Sequence, residues 1–143
     1  MKKTLLVFSA LLFALLLLPG LIRPPAESAI ADKARVKELS HAVGTALQEF
    51  HNAFGRYPEG PSGEMMHALR GGNDQGSIFF DCPREALNDH GELLDPWGTP
   101  FRITFDPALQ TPLIHSAGPN LIREEHSAVA WMAGDDVYHH VGK

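Results

Sequence analysis

The residue types that could carry chemistry are histidines and a single cysteine. The histidines are spread along the chain: His41, His51, His67, His90, His115, His126, His139 and His140. The sequence has neither the His-Glu-x-x-His pattern of zinc enzymes nor a Cys–His metal spacing. We therefore expect solvated histidines.

Cys82 gives an equally weak signal for nucleophilic catalysis. It precedes Pro83 without a nucleophile signature, and neither a Gly-x-Ser-x-Gly elbow nor a phosphate loop occurs in the chain. As the sole cysteine it cannot form an internal disulfide. We expect a small, partly buried residue, the alternative being a reactive or intermolecular thiol, and we predict that the chain is not an enzyme.

The first residues carry the pattern of an export signal. Lys2 and Lys3 precede the apolar run of residues 5–18, whose length lies between a signal-peptide core and a membrane span. Two outcomes stay open. Residues 1–31 are a cleaved signal, or residues 4–22 remain in the membrane as a transmembrane anchor. Both place the remainder outside the cytoplasm.

The charge balance argues against a nucleic-acid surface. The chain has 12 basic and 17 acidic residues, a formal net charge of -5 at pH 7, whereas phosphate binding needs clustered basic side chains. Because all but one of the acidic residues follow residue 31, residues 32–143 carry a net negative charge.

A long amphipathic helix is predicted for residues 32–54. Asp32 can cap its start, and Gly55 can end it in a left-handed turn. The apolar residues recur at steps of three and four: Val36, Leu39, Val43, Leu47, Phe50 and Phe54. In residues 55–92, a loop leads to a short second helix with Ser62 as its cap, and residues 77–80 are a short strand or a packed loop.

Residues 93–143 have the pattern of a β-meander. Asp95-Pro96-Trp97-Gly98 is a turn sequence, and the strand of residues 99–106 follows, with Phe101, Ile103 and Phe105 on one face. Residues 111–117 form the second strand, and either 128–132 or 136–139 the third. The fold class is α+β, a helix on about three antiparallel strands. Trp97, pinned in its turn, is expected to fold back over the open end of this small core.

These motifs resemble the major pseudopilin of the type II secretion system, the G component. The matches occur in order over residues 33–138: Gly55-Arg56-Tyr57-Pro58, Asp95-Pro96-Trp97-Gly98-Thr99-Pro100-Phe101, Ser116-Ala117-Gly118-Pro119-Asn120 and Asp135-Asp136-Val137. The resemblance implies a pilin-like periplasmic domain, on an inner-membrane anchor if the N-terminal segment is retained. It also implies a structural role in protein transport and partners among other pilin-like or secretion-system proteins.

The same resemblance implies a calcium site in the C-terminal loops. Its positions here are Ser116, Asn120, Asp135 and Asp136, which offer the oxygen ligands that Ca²⁺ takes. Asn120 stands where the family commonly has Asp, so we expect weaker binding. In the alternative, the two aspartates are solvated.

The N-terminal segment departs from the family. No Gly precedes Leu5 and no Glu lies in the apolar run, so a prepilin peptidase site is missing. A second function therefore stays open, a soluble or anchored periplasmic binding module that reuses the pilin fold without pilus assembly.

Overall fold

The computed structural model describes residues 25–106, 108, 110–121 and 137–142. The chain divides into two compact units, Met1–Ala31 and Asp32–Lys143, and the hydrophobic core lies in the second unit. Among the described residues, no helix is both long and apolar enough to cross a bilayer. The apolar run of residues 5–18 lies outside them.

Helix α1, Pro25–Phe54, is the longest element. The prediction that Asp32 caps its start is wrong, because the helix begins at Pro25, whose fixed φ suits a first helical turn. Its predicted end is confirmed. Gly55 has φ 72°, and its N–H donates to the carbonyl of His51 at 2.8 Å.

The apolar face of α1 packs into the core as its periodicity predicts. Leu39 and Phe54 are half-buried against the core, and four residues of the predicted stripe are almost fully buried: Val36, Val43, Leu47 and Phe50. Full burial of such side chains stabilises a fold by about 1.5–3 kcal/mol each.

Helix α2, Ser62–Leu69, and a 3₁₀ turn, Arg84–Ala86, follow. The prediction that Ser62 caps α2 is wrong. Its hydroxyl instead accepts a hydrogen bond from the backbone N–H of Ile103 at 2.9 Å, which joins α2 to the sheet. Residues 77–80 are a packed loop with one isolated bridge, Arg70 to Ile78.

Within the residues that the structure describes, the sheet has three antiparallel strands in the order β1-β2-β3. They are β1 Arg102–Asp106, β2 Thr111–Ser116 and β3 Val137–His140, so the third strand lies at the second of the two predicted places. Residues 128–132 lie outside the described residues. The α+β class and the helix packed on an antiparallel sheet are confirmed.

Strand β1 buries less of its predicted face than its alternation suggests. Phe101 and Ile103 are buried, but Phe105 is 50% exposed, so the predicted apolar face of the strand is buried only in part. Phe105 pairs with the end of β2 at Pro112, at the edge of the sheet. Its ring centroid lies 6.2 Å from that of Tyr57.

Candidate functional site

The turn at residues 95–98 is built around the carboxylate of Asp95, which is 5% exposed. Its Oδ1 accepts hydrogen bonds from the backbone N–H groups of Trp97 at 3.0 Å and Thr99 at 2.9 Å. Its Oδ2 accepts from the hydroxyl groups of Thr99 and Ser116, the latter at 2.7 Å. A buried carboxylate needs such donors. These hydrogen bonds therefore have a structural role, which is to hold the turn in place.

The backbone of the turn explains its residue types. The carbonyl of Asp95 accepts from the N–H of Gly98 at 3.0 Å, and the N–H of Asp95 donates to the carbonyl of Thr99 at 2.8 Å. Gly98 has φ 83°, a left-handed conformation that glycine adopts without strain. Pro96 and Pro100 on either side are half-buried.

Trp97 is half-buried and packs against the hydrophobic core. The expectation that the turn directs the indole onto the core is confirmed, and part of the ring remains in contact with solvent. Its contribution to stability is therefore smaller than that of a fully buried tryptophan.

The predicted calcium ligands are placed only in part. Ser116 is 0% exposed, and its hydroxyl, which donates to Asp95, also accepts from the N–H of Gly118 at 3.3 Å. Asn120 is exposed, and Asp135 and Asp136 lie outside the described residues. Within the described part of the chain, no three histidine, cysteine or acidic side chains are grouped to hold a metal ion. The calcium site stays a prediction.

The Gly-Arg-Tyr-Pro motif ties the end of α1 to the loop that follows. The hydroxyl of Tyr57 donates to Oε1 of Gln48 at 3.3 Å, and its ring centroid lies 4.5 Å from that of His51. Pro58 is buried. The motif thus packs the loop back onto the last turns of the helix.

Two asparagine turns, which we did not predict from the sequence, resemble the Asp95 turn. Oδ1 of Asn88 accepts from the N–H groups of His90 and Glu92, both at 2.9 Å, and Oδ1 of Asn73 accepts from that of Ser77 at 3.1 Å. The sequence pattern that could have predicted these turns is an asparagine followed by polar residues and a glycine.

The histidines are not uniformly solvated. His115 is 4% exposed because it lies on the central strand, and its ring stacks on Tyr138 with centroids 4.4 Å apart, so the expectation of a solvated side chain is wrong there. The ring of His139 lies over Gly44 of α1, 5.6 Å from the ring of His41. Burial, with His41 and His140 nearby, lowers the pKa of His139. His126 lies outside the described residues.

Cys82 is half-buried, as expected. Burial raises the pKa of its thiol, opposed by the charge of Arg70 and reinforced by that of Asp81. A thiol held protonated in this way is a poor nucleophile at neutral pH.

Cys82 lies in an open groove of about 650 Å³. Residues 32–42 of α1 contribute to one wall, and residues 80–86 and 93–98 contribute to the other. Apolar side chains form much of its floor and acidic side chains much of its rim. No local sequence pattern predicts this groove, since its walls come from three separate segments.

Comparison with protein-family models, with curated proteins and with solved structures finds no match for this chain.

Proposed function

We propose that this chain is an exported, non-enzymatic, pilin-like structural protein related to the major pseudopilin of type II secretion. It assembles with other pilin-like or secretion-system proteins through residues 32–143. The observation that carries the proposal is the packing of α1 on an antiparallel β-meander, with the Asp95 turn tied to the end of β2 through Ser116. Two of the motifs that carry the resemblance thus meet in space.

In vivo crosslinking tests the assembly. A photoreactive amino acid replaces Lys37, an exposed residue of α1, in the full-length chain, and the crosslinked products are identified by mass spectrometry. Products with pilin-like or secretion-system proteins are expected. Products with none of these would overturn the proposal. Replacement at the exposed Asn52, further along α1, tests whether contacts are confined to one part of the helix.

The groove beside α1 favours the second candidate, a periplasmic binding module that does not assemble into a pseudopilus. The N-terminal residue of the protein recovered from cells separates the anchored assembly protein from the soluble form of this module. Met1 in the membrane fraction supports an anchored assembly protein, whereas a mature start near Asp32 in a soluble fraction supports the binding module.

A further inference from the structure

We propose that the groove beside α1 is a docking site for a basic amphipathic helix of a partner protein. Such a helix has apolar side chains on one face and lysine or arginine on the other. That the partner belongs to a secretion or pilin-like assembly rests on the proposed function. The chemistry of the partner helix rests on the groove alone.

The floor of the groove offers apolar surface. Phe80 and Leu93 are buried at its base, Leu39 and Leu94 are half-buried, and Ala42 is exposed. A partner that covers them with apolar side chains removes this surface from water, which is the main favourable term in association.

The rim of the groove sets the charge of the partner. Glu38 on α1 and Asp81 and Glu85 on the facing loop are exposed, and of the described residues that line the groove one is basic, Arg35. Acidic side chains around an apolar floor attract cationic partners and repel acidic ones. A second copy of this acidic chain, with a formal net charge of -5, is therefore disfavoured as the occupant.

The wall formed by α1 indicates the length of the partner helix. From Asp32 to Ala42 the helix covers about 15 Å at about 1.5 Å per residue, so a partner helix of about three turns fills the groove. A synthetic eleven-residue peptide of leucine and lysine at helical spacing, LKKLLKLLKKL, matches this length and chemistry. Its counterpart with glutamate in place of lysine, LEELLELLEEL, is the matched control.

Cys82 provides a reporter inside the groove, because it is the sole cysteine of the chain. Alkylation of the full-length chain by a maleimide is followed with and without each peptide. We expect the lysine peptide to slow the reaction about tenfold at saturation, because it covers the thiol. Equal protection by the glutamate peptide, or binding of the lysine peptide without protection, would overturn the proposal. Protection that rises with protein concentration alone would assign the groove to a second copy and also overturn it.

Charge-reversal variants separate docking from attraction to net charge. Glu38→Lys and Glu85→Lys are expected to weaken binding of the lysine peptide about tenfold or more, whereas Glu49→Lys, on α1 outside the groove, leaves it within about twofold. All three residues are exposed and each substitution changes the net charge equally. Equal losses for the three variants would refute a specific site.

The two proposals fail on different results. If position 37 crosslinks to pilin-like proteins but the lysine peptide does not dock, the docking site is refuted and the proposed function is not. If the peptide docks but no such crosslinks form, the proposed function is refuted and the docking site is not.

Discussion

At the scale of single residues, Asp95 joins two distant parts of the chain. Its carboxylate accepts from Trp97 and Thr99 within its own turn and from Ser116 at the end of β2. Because the group is buried, each lost partner would leave a polar atom without water to replace it. The side chain therefore determines both the shape of the turn and its position against the sheet.

We expect Asp95→Ala to lower the free energy of unfolding by about 3 kcal/mol or more, since it removes the acceptor of two backbone N–H groups and of the hydroxyl protons of Thr99 and Ser116. Urea unfolding followed by circular dichroism measures the loss. Asp89→Ala, at an exposed loop position, is the control and should change stability by less than about 0.5 kcal/mol. Similar values for the two variants would contradict the role of Asp95.

Trp97→Ala tests the packing of the turn on the core. Because the indole is half-buried, we expect a loss of about 1–3 kcal/mol, less than for a fully buried aromatic. Trp97→Phe, which keeps part of the contact, should lose less. Thermal unfolding of the three proteins gives the comparison. A loss below about 0.5 kcal/mol for the alanine variant would show that the ring does not stabilise the core.

His139 should make stability depend on pH. Its pKa is lowered in the folded protein by burial, with His41 and His140 nearby, whereas an unfolded histidine has a pKa of about 6.5. The unfolded chain therefore binds more protons, so this contribution to stability is present above about pH 6.5 and is lost as the pH falls toward the lowered value. Urea midpoints at about pH 7.5 and about pH 5.5 measure it.

The matched variants for this pH dependence are His139→Asn and His67→Asn. The first should lose less stability on acidification than the unchanged chain. The second, at an exposed position of α2, should lose as much as the unchanged chain. An unaltered pH dependence in His139→Asn would assign the effect to other groups.

At the scale of elements, Gly44 allows α1 and β3 to approach each other. A Cβ at this position would lie 2.7 Å from Nε2 of His139, closer than real side-chain contacts. A glycine within a helix costs about 1 kcal/mol relative to alanine. The close approach of His139 gives a physical reason for a residue that disfavours its own helix.

A double-mutant cycle tests this contact. Gly44→Ala alone is expected to destabilise the protein by up to about 2 kcal/mol, because the clash with His139 outweighs the better helix propensity. In a His139→Ala background the same substitution should instead stabilise by up to about 1 kcal/mol. Equal effects in both backgrounds, measured by urea unfolding, would rule out the contact.

At the scale of the whole molecule, the predicted calcium site joins the loop after β2 to residues 135–136. We expect Ca²⁺ to raise the melting temperature of the full-length chain, since a cation held by several oxygens favours the folded state. Asp135→Ala combined with Asp136→Ala should abolish this rise. Asp74→Ala, at an exposed position distant in sequence from these two residues, should leave it unchanged. An unchanged melting temperature of the unsubstituted chain with Ca²⁺ would refute the site.

The features that the sequence alone determined are those with a local cause. The buried face of α1 follows from the spacing of Val36, Leu47 and Phe50, because helical periodicity places such residues on one side. The turn at Asp95 and the helix end at Gly55 follow from side chains and φ angles within a few residues. The α+β class could be predicted because these local elements fit few arrangements.

Contacts between distant segments were decided only by the tertiary structure. Ser62 bonds to the backbone of β1, Ser116 to Asp95 and His139 packs on Gly44. A serine hydroxyl can cap a helix, close a turn or join two elements with the same atoms, so the local pattern does not select its partner. The packing of the elements makes that choice, and it also places Cys82 in an acidic groove between three segments.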